Sequence, residues 1–460
     1  MPKALIQRSW NSAVLWSWLN TLLRVGSAII IIPLAARIIP REELGLWYVF
    51  LAMGTLSGLL ELGFRNAVSM NASFLWAGAS DLKPMGLPDL PANPPPRPLR
   101  MAPLVATFTR FYQGVALAIL ALLWTAGAAW IAQQTEAFEH RTSLRLAWMV
   151  YALAFAVNFS GGIWAALLGG INRIRDAQQS QMIAALAGLA LTVTGLLLGL
   201  NLWALVLGQA LTGWLSWTLV RRRFINAIPE LPLRGARFDR SLIRTLWPMA
   251  WRNGIGGLGA FLVAQANTLI CSAFLDLRAT ATYGLSMQLA GTLAAVSAIW
   301  VQVKIPLLAQ TRIADGNASV APLFARRILL FIAMFALGAA VLLAFGPRAL
   351  DAVGSQTPLL PHVLFAALLL VVFLEAHHSL YAALVLTENR NPFVLPGICS
   401  GIASVLLSIA LTRTLGPAGL IAAPGIIQAL FNNWWVVWRG IRGMDLSVIR
   451  YLRILFGPWK

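Results

Sequence analysis

The sequence predicts an all-α integral membrane protein, with about twelve transmembrane helices in two six-helix lobes related by a parallel repeat. Three observations predict it. Of the 460 residues, 59% are hydrophobic and only 11% are charged, whereas soluble domains carry roughly 25% charged residues. Apolar runs recur that are long enough to cross a bilayer as a helix, which takes about 20 residues. Lys and Arg cluster in the polar segments between those runs, with a strong bias to one side of the expected membrane.

The runs fall near 13–38, 45–66, 104–131, 144–169, 180–200, 203–221, 246–272, 282–307, 327–346, 361–386, 394–412 and 418–438. The opening stretch MPKALIQRSWNS has no cleavable signal pattern, so the first run is expected both to target and to anchor the chain. With the N-terminus inside, the inner segments take most of the 35 Lys and Arg, among them Arg221, Arg222, Arg223, Arg234, Arg237, Arg240 and Arg244 in one linker. The outer segments hold few, such as Arg37, Arg41, Arg278 and Arg413. Both termini are therefore expected in the cytoplasm. The same topology accounts for the net charge of +19, which in a soluble protein would point to nucleic acid. The tryptophans, largely at run ends, fit aromatic belts.

The polar segment 80–102 contains LPDLPANPPPRP, whose prolines favour an extended linker. Before it, 65–77 reads as an interfacial helix with Val68, Phe74 and Trp76 at headgroup level. The arginine-rich linker after Arg221 places the lobe boundary at 222/223, giving an N-lobe of 1–222 and a C-lobe of 223–460. A repeat supports this division. Residues 164–173 align with 381–390 at an offset of 217, and Gln209-Ala210-Leu211 recurs as Gln428-Ala429-Leu430. An even number of spans per half makes the repeats parallel, a common plan for transporters with a site between the halves.

Several charges fall inside the runs, where they must face protein or water. Arg24 lies near the middle of the first run, one turn after Asn20. A central Arg costs about 2.5–3.5 kcal/mol to insert. It either offers a bidentate guanidinium to a phosphate or joins helices through a salt bridge. Arg252, followed by Asn253 and by glycines that permit a bend or a close approach, is either a counterpart of Arg24 or a snorkelling residue. Glu61 and Arg65, spaced i,i+4 with Glu first, make a local ion pair, or Glu61 serves ion coupling. Glu375 and His378 sit i,i+3 beside His377, either as a titrating pair for proton coupling or as a hydrogen-bonded strut. Arg110, near the inner end of the third run, is expected to snorkel. Glu42 and Glu43 open the second helix and complement its dipole. Cys271 and Cys399 give neither a disulfide framework nor a metal spacing and read as membrane-buried thiols. No phosphate-binding glycine loop, metal-ligand cluster or nucleophile arrangement is present in the sequence, so no catalytic residue and no cofactor are expected.

The segment Arg37-Ile38-Ile39-Pro40-Arg41-Glu42-Glu43-Leu44-Gly45-Leu46-Trp47, followed by Leu60-Glu61-Leu62-Gly63-Phe64-Arg65-Asn66, resembles the opening of the polysaccharide (O-antigen type) flippases. That family belongs to the superfamily holding the MATE-type multidrug exporters and the lipid II flippase. Residues 73–79 with Asp81-Leu82-Lys83 and Gly86 are similar to a segment after the second helix in such proteins. The resemblance covers roughly the first ninety residues. It implies an inner-membrane transporter that flips a polyprenyl-diphosphate-linked oligosaccharide outward by alternating access, for surface polysaccharide assembly. It also implies a central cavity lined with arginines, which puts Arg24, Asn20, Arg252, Asn253 and Arg65 on the substrate. Glu61, Glu375 and His378 are then the candidates for coupling to H+ or Na+. Partners are the lipid-linked oligosaccharide, the bilayer and other assembly proteins. A MATE-type cation antiporter and a non-transporting scaffold are the alternatives. An arginine-lined cavity suits a cation poorly, and intramembrane charges have no use in a scaffold.

Overall fold

In the computed structural model, residues 13–84, 95–232, 236–388 and 391–457 are described; these are helical almost throughout, with no strand among them. Among the described residues, ten helices are long and apolar enough to cross a membrane. An eleventh span is a pair, Gly254–Val263 and Ala266–Phe274, bent by 43°. The helix Ala13–Ile38 (α1) coincides with the first expected run; of it, Val25–Ile38 is apolar but short. The chain packs as two compact units, one of Met1–Ile39 and Phe50–Leu258, the other of Pro40–Val49 and Gly259–Lys460. In this division residues 223–258, with most of the helix Arg240–Ala264 (α9), group with the first unit and residues 40–49 with the second.

The first unit holds α1 and the second half of α2 (Arg41–Gly58), which ends in a 3-10 turn at Leu59–Glu61. Leu62 and Gly63 then adopt left-handed backbone, with φ of 51° and 74°. This reverses the chain into α3 (Phe64–Ala77). α3 is the helix expected at the interface, but Val68 is fully buried and α3 packs on α6 (Arg141–Gly170). Val68 therefore belongs to the interior, not the headgroup layer. α4 (Arg97–Leu122) starts earlier than expected because Pro98 occupies its first turn, where a missing N–H costs nothing. It passes through a π-helical turn, Leu123–Gly127, into α5 (Ala128–Gln134). The indole of Trp148 donates to the Leu123 carbonyl at 2.9 Å, giving that backbone group a partner. Trp148 meets Phe50 edge-on at 4.9 Å, a contact worth about 0.5–1.5 kcal/mol beyond burial.

α7 (Ile174–Leu197) and α8 (Leu202–Ala227) form the tightest pair of this unit. A Cβ on Gly188 would stand 2.7 Å from the Gly208 carbonyl oxygen, and one on Gly208 would stand 2.9 Å from that of Gly188. Only hydrogens fit between the backbones there, as in close helix contacts within membranes.

In the second unit, α10 (Ala266–Phe274) leads to α11 (Leu277–Gln302), α12 (Ile305–Asp315), α13 (Val320–Ala352) and α14 (His362–Leu386). After them come α15 (Val394–Leu415), α16 (Pro417–Ile427), a π-helical segment Gln428–Asn432, α17 (Asn433–Arg442) and α18 (Val448–Phe456). Small polar residues Ser400, Ser404, Ser408 and Thr412, spaced by four, make a buried stripe on α15, which packs on α16. The start of α2 belongs here. Arg41 donates to Thr282 at 2.8 Å and to the Arg278 carbonyl at 3.2 Å, Glu42 pairs with Arg278, and Tyr48 donates to Gln288 at 2.7 Å. Glu42 lies in the first turn of α2, where it was expected, and its pairing with Arg278 was not foreseen. Cys271 is buried in this unit and Cys399 faces outward from it.

Candidate functional site

Six of the eight residues singled out by sequence, namely Asn20, Arg24, Glu61, Arg65, Arg252 and Asn253, lie in the first unit, and Glu375 and His378 lie in the second. Arg24 is on α1 one turn after Asn20, and Arg252 and Asn253 are on α9 after Pro248. The side chains of Arg24, Arg252 and Asn253 lie outside the described residues. The glycines after Asn253 permit a close approach: a Cβ on Gly254 would stand 2.7 Å from the Leu62 Cα. The bend of this span comes later, at Gln265, between α9 and α10.

Asn20 is tied to α7. Its Nδ2 donates to Gln178 at 2.7 Å and to Gln181 at 3.3 Å. These amides make a neutral polar patch between α7 and α1, the helix that also carries Arg24, and neither glutamine was singled out by sequence. Glu61 and Arg65 do pair, Nε to Oε1 at 3.0 Å, across the left-handed turn at Leu62 and Gly63. The same Oε1 accepts from the Tyr112 hydroxyl at 2.6 Å. Arg65 is half exposed, whereas Glu61 is only 17% exposed. The carboxylate is thus a neutralised anchor, and the guanidinium keeps an open edge. That edge lies over α6, where a Cβ on Gly162 would stand 2.6 Å from the Arg65 Nη2.

In the second unit, α14 presents Glu375, His377 and His378 together, all half-buried. No ion pair joins Glu375 to His378. His378 lies beside Gln428, His377 beside Asn433, and Glu375 near Tyr283 of α11. His377 also stacks on Phe373 at 5.7 Å and meets Tyr381 at 5.0 Å. Asn433 donates to the Leu374 carbonyl at 2.7 Å, and Ser400 to Asn432 at 2.6 Å. The Nδ1 atoms of both histidines and both amide atoms of Gln428 are buried without a hydrogen-bond partner. Buried polar atoms without a direct partner are costly and call for a water, an ion or a functional role. Gln428–Asn432 is π-helical, a distortion found often at functional sites. Sequence reading found Glu375 and His378 here and missed Gln428 beside His378 and Asn433 beside His377. The one available signal was the Gln-Ala-Leu triplet at 428–430. Its partner at 209–211 lies in the regular helix α8, so the two differ locally. Asn389 and Arg390, from the other aligned stretch, lie outside the described residues. Among the described residues no three His, Cys, Asp or Glu side chains gather as a metal site.

Ten long apolar helices and one bent pair, among the described residues, make this a multi-pass membrane protein. Its fold is similar to those of solved transporters described as MOP-superfamily proteins and of a lipid II flippase. The lipid II flippase MurJ in an inward closed conformation superposes with a TM-score of 0.63 at 10% identity, over 96% of this chain and 89% of that one. An inward-facing multidrug resistance MATE transporter gives 0.61 at 12% identity, over 93% and 96%. A Vibrio cholerae MATE transporter gives 0.57 at 10%, over 98% and 99%. Residues 107–312 match the family model of the polysaccharide biosynthesis proteins. No curated protein matches the chain in sequence.

Proposed function

We propose that the chain is a flippase that moves a polyprenyl-diphosphate-linked oligosaccharide from the inner to the outer leaflet of the cytoplasmic membrane. The observation that carries this reading is the match of residues 107–312 to the polysaccharide biosynthesis family on a MOP-superfamily fold. Arg24, Arg65 and Arg252 are the proposed ligands of the diphosphate, because a planar guanidinium meets phosphate oxygens in pairs. Asn253 and Asn20 are the proposed neutral contacts to the sugar, Asn20 through its carbonyl oxygen, since its amide donates to Gln178 and Gln181. Both termini face the cytoplasm in this reading, consistent with the Lys/Arg bias. Transport runs by alternating access. The coupling ion, H+ or Na+, is placed at Glu375 and His378, whose surroundings hold unpartnered polar atoms. Glu61 is the less free acid, since Arg65 and Tyr112 share its Oε1.

Proteoliposomes test this directly. A fluorescent polyprenyl-diphosphate oligosaccharide placed in one leaflet should reach the other only when the wild-type protein is present. Equal crossing in protein-free vesicles and in vesicles carrying the protein sinks the proposal.

A further inference from the structure

A polar crevice opens inside the first unit, lined by none of the residues assigned above to the substrate or to coupling. It measures about 350 Å3 and is lined by one face each of three helices: Thr109, Arg110 and Gln113 of α4, Ser160 and Trp164 of α6, and Trp217 and Arg221 of α8. Each helix contributes residues one turn apart, so the lining follows from helical spacing alone. Ser160 and Trp164 stand on the opposite side of α6 from Gly162, over which Arg65 lies. The crevice is therefore separate from the Glu61–Arg65 pair.

Its chemistry is that of an anion site. The Arg221 guanidinium sits 5.7 Å from the Trp164 ring centre and 5.8 Å from that of Trp217. Two aromatic faces at this range hold a guanidinium while leaving its N–H edge unspent. Arg110 donates through Nη2 to the Ala236 carbonyl at 3.1 Å, which uses one of five N–H donors and fixes the side chain. Among the described residues neither arginine has a carboxylate partner, and no acid lines the crevice. The Thr109 hydroxyl is buried there without a partner. A snorkelling arginine needs none of this: neither paired aromatic walls nor a second guanidinium across a cavity.

We propose that this crevice binds the phosphate group of a membrane lipid, with Arg221 and Arg110 as its ligands. Thr109 and Gln113 supply neutral donors, and Trp164 and Trp217 form the walls. The volume admits a phosphate with the glycerol or sugar attached to it. By the Lys/Arg bias this end of the unit faces the inner leaflet. A bilayer phospholipid and the diphosphate of a polyprenyl carrier share this chemistry, and binding tells them apart.

The test is native mass spectrometry of the full chain, delipidated in detergent and titrated with phosphatidylglycerol, phosphatidylcholine or a sugar-free polyprenyl diphosphate. One of the anionic lipids should be retained about tenfold better than phosphatidylcholine. Arg221→Gln and Arg110→Gln should abolish that preference, while Arg222→Gln, a neighbouring arginine outside the lining, should keep it. Preference for phosphatidylglycerol assigns the crevice to a bilayer phospholipid; preference for the polyprenyl diphosphate assigns it to the carried lipid. Gln113→Leu changes an exposed residue without packing cost, so it reads the same crevice if an arginine variant does not fold; about threefold weaker retention is expected. Equal retention of all three lipids by wild type overturns the proposal. So does an Arg222→Gln loss matching that of Arg221→Gln, or unchanged retention in every lining variant. Retention is read without transport, so a chain that selects lipid but does not flip it defeats only the transport reading.

Discussion

The Tyr112 hydroxyl donates to Glu61 Oε1 at 2.6 Å, bridging α4 to the carboxylate that ends α2. Tyr112 is fully buried, so this bond is both sheltered and charge-assisted. It fixes the turn at Leu62 and Gly63 and, through it, the position of Arg65. Tyr112→Phe is expected to cost about 1.5–3 kcal/mol, the range for a hydrogen bond to a charged group. Equilibrium unfolding in mixed micelles measures it, and a loss below about 0.5 kcal/mol would place the anchor elsewhere.

The α7–α8 crossing depends on two missing side chains. Gly188→Val forces atoms into the space held by the Gly208 carbonyl, and overpacking of this kind costs about 1–3 kcal/mol or prevents folding. Gly291→Ala, where a Cβ meets nothing within 4 Å, should be neutral or slightly stabilising, since alanine favours helix. The yield of monodisperse protein and its thermal midpoint compare the two; equal behaviour contradicts the close approach.

These contacts mark what the sequence could and could not disclose. Spans were legible because an apolar run of about 20 residues has few alternatives to a membrane helix. The Glu61–Arg65 pair was legible from its i,i+4 spacing, although the two residues meet across the turn at Leu62 and Gly63 and not along one helix. Tyr112 as their third member was not, being far along the chain on another helix, and neither were Gln178 and Gln181 as the partners of Asn20. Val68 was placed at the interface because an amphipathic segment after a span looks the same whether lipid or protein covers its apolar face. The bend at Gln265 and the π segment at Gln428 carry no periodic signal, since backbone hydrogen bonding, not side-chain spacing, distinguishes them.

The cluster on α14 predicts a separation of function. Glu375→Gln keeps the shape and removes the ionisable group. It should lower gradient-driven flipping at least about tenfold while sparing substrate binding, because the loss falls on coupling. Flipping assayed with and without imposed H+ and Na+ gradients reads this. Unchanged gradient dependence in the variant removes Glu375 from the mechanism.

Asp239 caps the start of α9. Its Oδ1 accepts from the Ser241 hydroxyl at 2.6 Å and from the Ser241 N–H at 2.8 Å. The hydroxyl, followed by the backbone N–H, holds this carboxyl below its usual range. Its contribution to stability is therefore complete above the ordinary carboxylate value near ~4 and is lost as pH falls through the lowered one. Wild type should exceed Asp239→Asn in thermal midpoint at pH 6, with the gap closing towards about pH 3. A gap that persists at acid pH contradicts the cap.

The sidedness of lipid-linked saccharide in cells depleted of the protein tests the central claim most directly. The account predicts accumulation at the inner leaflet, relieved by wild type and not by Arg24→Ala present at the same level in the membrane. Normal crossing in depleted cells would contradict it.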